Sequence, residues 1–376
     1  RVALFEASWL KNFKDTPFIP NGDGWPGKSK DYNADYQYPS GNIDREIDYF
    51  LNVAIEASES VAEKYKDQLM QNTGIIPQSE TDPINPYFAM FGTIDMSSYP
   101  EILLWREYSD ALGIRNNVEV CIQRGNYGIG VTRSLMESFL MADGKPVYAQ
   151  HDGYAYDDNS LTKVRQNRDP RITVFLKEPG QVNTFKNMDS PATMYIPIEP
   201  NPDITNGALD RVYKTGYTLR KGGTFDRALC ENSRSYNAAP CFRATEALLN
   251  YMEAQYMLTG NLNSGKILEY WKIVREKAGF TGKAIDPNTT INATVMANEK
   301  LDWGAYTAGV LLSDPVLYNI RRERRCELMA EGLRWMDLVR WRSLDQMITE
   351  NYHVEGFHLW NCLLYTSPSP RDKRQS

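Results

Sequence analysis

One stretch of the sequence constrains the fold more than any other: residues 319–341, NIRRERRCELMAEGLRWMDLVRW. Asp314 and Pro315 stand just before it, and an acidic N-cap followed by proline at the first helical position is a strong helix start. Gly332 marks a stop, after which Leu333 restarts a helical spacing of apolar residues. The stretch therefore predicts two helices joined at a tight glycine corner.

The acidic residues of the first predicted helix fall on one stripe. Glu323, Glu327 and Glu331 are spaced four apart, and like charges at this spacing repel by about 0.2–0.5 kcal/mol per pair. Cationic side chains are expected to pair with these glutamates, and those nearby in sequence are Arg324, Arg325, Arg334 and Arg340. Apolar residues among the charges indicate a partly buried network of bidentate arginine–carboxylate pairs. Catalytic or metal-binding carboxylates are the alternative, which so many arginines disfavour.

The whole pattern, ERR-x-EL-x-x-EG-x-R-x-x-DL-x-RW, resembles the C-terminal signature of the SusD/RagB family. It is carried by Glu323, Arg324, Arg325, Glu327, Leu328, Glu331, Gly332, Arg334, Asp337, Leu338, Arg340 and Trp341. The segments CFRATEALLNYMEAQY, YWKIVREKAGF, LMADGK, RDPRI and LDWGAY are similar to other landmarks of the family. The resemblance covers residues 1–360.

This resemblance implies a fold, a location and a role. Family members are mainly α, with TPR-like stacked helical hairpins, long irregular loops and a few short β-strands. They are lipoproteins on the extracellular face of the outer membrane of Bacteroidetes-type bacteria, and they serve polysaccharide utilization. They bind glycans or other nutrients and pass them to a SusC-type TonB-dependent transporter. For this chain the resemblance implies the same ligands and partner, with no catalytic residue and no cofactor.

Charge and cysteine content argue against several classes of protein. The chain has 42 basic and 48 acidic residues and a net charge of −6, without a basic block, which argues against a nucleic-acid partner. Its five cysteines include no C-x-x-C pair, and the three histidines do not cluster with them. Neither a metal site nor a thiol-redox site is expected. Cys230 and Cys241 bracket a short loop that a disulfide would close in an extracytoplasmic protein, but two thiols are the preferred interpretation.

Both ends of the sequence are unusual. The chain begins at Arg1 directly in a helical pattern, and no segment approaches the roughly 18 consecutive apolar residues of a membrane span. We expect a fragment whose N-terminal portion, with the signal and lipid-anchored cysteine that the resemblance implies, is missing. Residues 361–376 are rich in Ser, Pro, Arg and Lys and resemble a cloning or sequencing scar. A single domain is expected over residues 1–360.

Hydrophobic periodicity predicts the main elements between these ends. Helices are expected over residues 1–13, after Asn42 and over residues 132–143, and strands over residues 99–108 and 118–123. Residues 242–278 predict two helices separated by Gly260. Their combined length is close to the TPR period of about 34 residues, although no clean internal repeat is present. The pattern alone therefore predicts a helical hairpin.

Two motif matches lack the context that their chemistry requires. Residues 22–29 match the P-loop expression G-x-x-x-x-G-K-S, but no buried strand precedes them and no helical periodicity follows. Asp31-x-Asn33-x-Asp35 begins like a calcium loop but lacks the turn glycine and the closing glutamate. We therefore interpret both matches as chance spacing in a polar loop.

Aromatic side chains in polar loops are the candidates for ligand contact. Tyr and Trp rings lie flat against sugar faces while Asn, Asp and Arg side chains bind hydroxyl groups. Residues 14–41 and 145–240 are irregular and polar and carry such rings. The candidate ligand-binding residues are Trp25, Tyr32, Tyr36, Tyr38, Tyr154 and Tyr156. The alternative for each is packing of a loop onto the helical scaffold.

Three functions are compatible with the sequence: a non-enzymatic nutrient-binding protein, a glycoside hydrolase on a helical scaffold, and a TPR-type adaptor that binds protein. A hydrolase requires two carboxylates facing one cleft, roughly 5–10 Å apart. No acidic pair in this sequence lies in a convincing aromatic loop. The nutrient-binding protein is therefore the preferred hypothesis.

Overall fold

The computed structural model of the protein describes residues 1–125, 129–202, 213–348 and 354–357. The strands are short and form two-stranded sheets: β1 (Ile102–Arg106), β2 (Ala239–Arg243), β3 (Tyr306–Thr307) and β4 (Val310–Leu311). The α-helices are α1 (Val2–Asn12), α2 (Ile43–Tyr65), α3 (Pro86–Gly92), α4 (Val118–Arg124), α5 (Arg133–Ser138), α6 (Leu161–Arg165), α7 (Pro170–Phe175), α8 (Ala244–Thr259), α9 (Ile267–Ala278), α10 (Pro287–Ala293), α11 (Pro315–Glu327) and α12 (Arg334–Arg340). The fold is mainly α with long irregular segments, as predicted.

The chain divides into two compact units. The first comprises residues 1–69, 243–275 and 286–352, and the second comprises the remainder. Residues 361–376, which the sequence sets apart, lie outside the described residues. Within the described ranges, no helix combines the length and the apolar character that crossing a membrane requires.

The first unit is built from stacked helical hairpins. Asn42 caps α2, and its side-chain oxygen accepts the Arg45 amide at 2.9 Å, as its position predicts. α2 packs against α1 and α8 over an apolar core. Between α8 and α9, the rings of Tyr251 and Tyr270 meet edge to face with centroids 4.9 Å apart. The helical hairpin predicted at residues 242–278 is therefore confirmed.

The glycine corner between α11 and α12 is longer than predicted. Asp314 caps α11 by accepting the amides of Val316 and Leu317 at 2.8 and 3.2 Å. The helix nevertheless ends at Glu327, and the chain turns through Ala330 and Gly332, whose φ angles are +61° and +77°. Glycine adopts this left-handed conformation without strain. Glu331 therefore lies in the turn, and the predicted stripe of three glutamates on one helix is wrong.

The glutamates of the corner are bound by arginines from distant parts of the chain. The Glu323 carboxylate accepts the Trp271 indole N–H at 2.9 Å and the Arg275 Nε at 3.0 Å. Arg243 lies 2.8 Å from both Glu327 and Glu331. The buried arginine–carboxylate network predicted from the sequence is present, and it includes Arg243 and Arg275, which the sequence interpretation did not name.

The arginines of the corner have acidic partners of their own. Arg324 pairs with Asp337 at 2.8 Å, and Arg325 and Arg334 both pair with Asp302, at 3.0 and 2.7 Å. Burial raises the pKa of Asp302, but these two guanidinium groups hold it well below its usual range. The charges of the corner are thus neutralised within the first unit.

Arg340 and Trp341 connect the corner to α8. The Arg340 guanidinium binds both oxygens of Glu253, at 2.5 and 2.6 Å, and the Trp341 indole N–H donates to the same carboxylate at 2.7 Å. Arg340 also donates to the hydroxyl of Ser8 on α1, at 2.9 Å. Burial raises the pKa of Glu253, but Arg340 outweighs this effect and lowers it. One carboxylate therefore fixes the position of α12 on α8.

The second unit packs short helices around an aromatic core. The ring centroids of Tyr87 and Phe175 are 5.3 Å apart, and Phe91 contacts both rings. A buried ion pair lies beside them, with the Lys277 ammonium group 2.8 Å from the Glu101 carboxylate and 5.0 Å from the centroid of Tyr87. Rings and ion pair together stabilise this unit.

The strand predicted at residues 118–123 is wrong, because the segment forms α4. Glu119 and Gln123, one helical turn apart, are both buried and share a hydrogen bond of 3.0 Å. Gly125, with φ of +67°, ends the helix in the left-handed conformation. The β-branched residues at 118 and 120 favour a strand locally, but the buried polar face of the segment selects the helix.

The helix predicted at residues 132–143 is shorter than expected. Thr132 caps α5 as predicted, but the helix ends at Ser138. Buried Arg168 accounts for this early end, because its guanidinium donates to the Met136 carbonyl at 2.5 Å and to two carbonyl oxygens of the following turn. Those carbonyls are satisfied without further helix.

Cys230 and Cys241 do not form the disulfide considered from the sequence. Cys230 is buried, and its thiol donates to the carbonyl oxygen of Asp226 at 3.2 Å. Cys241 is exposed on β2. The preferred interpretation, two thiols, agrees with this geometry.

We predict that Arg340→Ala lowers the free energy of unfolding of the first unit by about 3–5 kcal/mol, because it leaves the Glu253 carboxylate buried without its cation. The matched control is Arg342→Ala, whose pair with Asp345 is partly exposed and is expected to cost less than about 1 kcal/mol. Denaturant unfolding followed by tryptophan fluorescence measures both. Equal losses for the two variants would show that burial of the Arg340 pair is unimportant.

Candidate functional site

A cleft in the second unit is the main candidate site. Its volume is about 280 Å³, just below the range of about 300–1,000 Å³ that is usual for small-ligand pockets. Four parts of the chain form it: the segment before and through α3 to Thr93, Tyr99, the chain around Phe185, and the chain around Phe225. Its lining residues are Pro77, Ser79, Glu80, Asp82, Ile84, Phe88, Ala89, Gly92, Thr93, Tyr99, Phe185, Lys186, Gly223, Thr224 and Phe225.

The position of α3 fixes one wall of the cleft. Asn85 caps this helix by accepting the Tyr87 amide at 3.2 Å, and Pro86 occupies its first position. At its other end, Gly92 packs so closely on the Gly223 carbonyl that a Cβ on residue 92 would overlap with that oxygen. The absence of a side chain at Gly92 therefore lets two backbone segments meet at the base of the cleft.

Three phenylalanine rings pack together at the cleft, where Phe185 is half-buried while Phe88 and Phe225 are only 5% and 6% exposed. The rings of Phe185 and Phe225 are nearly parallel, at 18°, with centroids 4.6 Å apart, and Phe88 lies 5.4 Å from Phe225. The backbone keeps these rings in register, because the amides of Phe185 and Lys186 both donate to the Phe225 carbonyl, at 3.0 and 2.9 Å. The rings are therefore held in place before any ligand arrives.

Polar groups surround this aromatic surface. Asp82 accepts the backbone amides of Gln78 and Ser79 at 2.7 and 3.1 Å, and these hydrogen bonds lower its pKa. The hydroxyl of Tyr99 is half-buried, and burial raises its pKa. Lys186 is exposed beside the rings. Flat apolar rings beside hydroxyl, carboxylate and ammonium groups can bind a small polar ligand that has an apolar face.

Four of the sequence-predicted ligand residues lie in the first unit. Trp25, Tyr36 and Tyr38 form an edge-to-face cluster, with centroid distances of 5.7 Å from Trp25 to Tyr36 and 5.3 Å from Tyr36 to Tyr38. Tyr38 is only 8% exposed, and its hydroxyl donates to the Pro20 carbonyl at 2.7 Å, so it packs the loop onto the helices. Tyr32 is 85% exposed and stands apart from that packing.

The loop around Trp25 does not have the geometry of a nucleotide or calcium site. The indole of Trp25 lies against Gly27, where a Cβ would overlap with the ring. Residues 26–29 form a short 3₁₀-helix on which Lys28 is exposed, without the strand and α-helix of a P-loop. The segment that resembles a calcium loop begins with a second 3₁₀-helix, Asp31–Asn33. The structure thus agrees with the rejection of both motifs.

The other two predicted ligand residues, Tyr154 and Tyr156, lie in the second unit. Tyr154 is half-buried and stacks on His151, with centroids 5.3 Å apart, and the Nδ1 atom of His151 lies 2.9 Å from Asp143. The Tyr156 ring packs against the Arg168 guanidinium at 4.8 Å, and burial raises the pKa of its hydroxyl to about 12. Neither residue lines the cleft.

The sequence interpretation did not include the cleft. It considered Tyr and Trp rings in polar loops, whereas the rings of the cleft are mostly phenylalanines, which from sequence alone indicate a core. One usable signal was present, because Asn85 followed by Pro86 is an N-cap and first-position pair that predicts α3. No local signal brings residues 185 and 225 together.

The matched family decides the class of this protein. The model of the SusD family matches residues 105–360, a range that includes α11, α12 and the two segments that carry Phe185 and Phe225. The chain belongs to the SusD family. The assignment made from the arginine–glutamate signature is confirmed. No curated protein matches the chain.

The chain is also similar to several solved structures. The chain is similar to the selenomethionine form of the protein BT4246, with 16% identity and a TM-score of 0.55, over 92% of this chain and 61% of that one. It is also similar to a SusD-like protein and to a SusD-like carbohydrate binding protein, both from Bacteroides fragilis NCTC 9343. These have 19% and 18% identity and TM-scores of 0.48 and 0.47, over 89% and 90% of this chain. The chain spans 59% and 58% of their lengths.

We predict that Gly92→Ala lowers the free energy of unfolding of this SusD-family chain by about 1–3 kcal/mol, because the added methyl group meets the Gly223 carbonyl oxygen. Ala89→Ser, a one-atom addition at a half-buried position of the same helix, is the control and is expected to stay within about 0.5 kcal/mol. Denaturant unfolding measures both. A Gly92→Ala protein as stable as wild type would mean that the two backbone segments are not in contact.

Proposed function

We propose that this protein binds carbohydrate at the extracellular face of the outer membrane and passes it to a SusC-type TonB-dependent transporter. The observation that carries the proposal is membership of the SusD family. The N-terminal signal and lipid anchor expected from the resemblance would hold the protein at the membrane. Binding without bond cleavage requires no cofactor.

The cleft of the second unit suits an oligosaccharide. The apolar face of a pyranose ring packs on flat aromatic surfaces, and half-buried Phe185 offers part of such a surface, supported by Phe225, which is only 6% exposed. The sugar hydroxyl groups require hydrogen-bonding partners, which Asp82 and Tyr99 offer. The rings pack against one another, with Phe185 and Phe225 stacked at 4.6 Å, so little side-chain freedom is lost on binding. We propose this cleft as the principal binding site.

The loop of the first unit is a second candidate surface. Trp25 and Tyr36 are half-buried and Tyr32 is exposed, so part of each ring is available to a ligand. Tyr38 supports this surface from below. Tyr154 also exposes part of its ring, while Tyr156 supports its own loop. We retain Trp25, Tyr32, Tyr36 and Tyr154 as proposed contacts, with Tyr38 and Tyr156 as their supports.

A glycoside hydrolase is the alternative that one observation favours, because Glu80 and Asp82 both line the cleft. Such an enzyme needs one carboxyl group that remains protonated near neutral pH, so that it can donate a proton to the leaving group. The backbone hydrogen bonds to Asp82 lower its pKa, which makes it a poor proton donor. The hydrolase is therefore kept as the alternative, which an assay for new reducing ends distinguishes from binding.

The test is calorimetric titration with maltohexaose, laminarihexaose, cellohexaose and mannohexaose. We expect at least one to bind, and Phe185→Ala to weaken its binding about tenfold, or about 1.4 kcal/mol, through loss of ring stacking. Phe242→Ala is the matched control, since Phe242 is 42% exposed in the same unit and does not line the cleft. Failure of every oligosaccharide to bind would contradict the proposed function, and release of new reducing ends would favour the hydrolase.

Trp25→Ala distinguishes the two candidate surfaces in the same titrations. With the cleft as principal site, this variant is expected to lose less than about threefold in affinity, because it touches only the secondary surface. Full loss of binding in Trp25→Ala with normal binding in Phe185→Ala would move the principal site to the loop of the first unit. Co-purification with the SusC-type transporter tests the proposed partner.

A further inference from the structure

A buried glutamate holds one wall of the cleft from behind. Glu119 on α4 is 0% exposed and does not line the cleft itself. Its carboxyl group accepts the backbone amide of Thr224 at 2.6 Å. Thr224 stands between Gly223 and Phe225, and all three residues line the cleft. The position of this wall therefore depends directly on one side chain.

The same glutamate is connected to the opposite wall through Gln123. The Gln123 amide donates to Glu119 at 3.0 Å and to the Asn183 carbonyl at 3.2 Å, and its oxygen accepts the Ile196 amide at 3.1 Å. Asn183 lies two residues before Phe185. The pair formed by Glu119 and Gln123 thus joins the two chain segments whose rings stack in the cleft.

The charge of Glu119 is poorly compensated. Its hydrogen-bond donors, the Gln123 side-chain amide and the Thr224 backbone amide, are both neutral. The Cys230 thiol lies 3.9 Å away but donates to the closer Asp226 carbonyl. Burial raises the pKa of Glu119 to about 7, against the opposing effects of these hydrogen bonds and of Lys177. The ionisable groups that interact with it from the neighbouring segments are Lys177, Tyr213, Arg220, Asp226 and Cys230.

Lys177 and Arg220, two buried cations that interact with Glu119, are engaged elsewhere. Lys177 lies 3.2 Å from Glu199 and donates to the Ile122 carbonyl at 2.7 Å, and Arg220 donates to the Gln181 side chain at 2.9 Å. The carboxylate form of Glu119 is therefore held mainly by amide hydrogen bonds, and it is the form that burial disfavours.

We propose that Glu119 is a positioning residue for the cleft, and that its ionisation loosens the wall formed by residues 223–225. The consequence for ligand binding rests on the carbohydrate-binding function proposed above. In its neutral form the carboxyl group stays buried and holds the wall closed. In its charged form it gains hydration when the wall opens, so opening becomes more frequent.

The direction and size of the effect follow from linkage. In the closed wall the pKa of Glu119 is about 7, and in an open, hydrated wall it returns toward 4.5. The closed wall is therefore most stable below about pH 4.5 and loses stability progressively as the pH rises to about 7. Between pH 6 and pH 8 the opening equilibrium constant is expected to increase about tenfold.

Hydrogen exchange of the Thr224 amide tests this proposal without a ligand. After correction for the intrinsic exchange rate, we expect wild-type Thr224 to exchange about tenfold faster at pH 8 than at pH 6. The Ala89 amide is an internal control, because it lines the cleft but donates to the Asn85 carbonyl, at 2.9 Å. An equal change at both amides, or no change at Thr224, would overturn the proposal.

Two substitutions identify the titrating group. Glu119→Gln, which keeps a neutral acceptor at this position, is expected to abolish the tenfold change at Thr224. Glu137→Gln should preserve it, although burial also raises the pKa of Glu137, because that residue faces Arg133 and does not line the cleft. If Glu119→Gln does not fold, the comparison of Thr224 with Ala89 in wild type and Glu137→Gln still decides the outcome. Absence of binding to every oligosaccharide would contradict the proposed function alone.

Discussion

The carboxylate of Glu253 is the point on which the helical unit depends. It binds the Arg340 guanidinium through both oxygens and also accepts the Trp341 indole N–H, while Arg340 reaches Ser8 on α1. Removing one partner from such a buried set leaves an uncompensated charge, which is why its members act as one group. Helices that are far apart in sequence are thereby held in a single arrangement.

In both units, buried charged side chains hold the secondary-structure elements together. In the first unit, Arg243 and Arg275 bind the glutamates of the corner. In the second, Arg168 binds the carbonyl oxygens that end α5, and Lys277 pairs with Glu101. Because these charges have partners inside the protein, their role is structural. We therefore place the proposed ligand contacts in the cleft, which is lined by rings and turn residues.

The sequence predicted where helices begin better than it predicted which side chains pair with each other. Caps such as Asn42 and Asp314 act within a few residues, so helix starts could be found from local pattern alone. The arginines that bind Glu323 and Glu327 come from positions 275 and 243, a pairing that only the tertiary fold creates. For the same reason the cleft was missed: residues 185 and 225 meet through backbone hydrogen bonds that no local pattern encodes. At residues 118–124 a local pattern was present but misleading: the β-branched residues favour a strand, whereas burial of the polar face selects a helix.

The contact between Trp25 and Gly27 has a consequence for how the loop of the first unit can change. The indole rests on a backbone that has no side chain in its way, so any larger residue at position 27 would swing the ring outward. The orientation of the Trp25 ring is therefore kept only while residue 27 is glycine, so the residues at positions 25 and 27 depend on each other. A substitution two positions from the ring would alter the shape presented to solvent while leaving every aromatic residue in place.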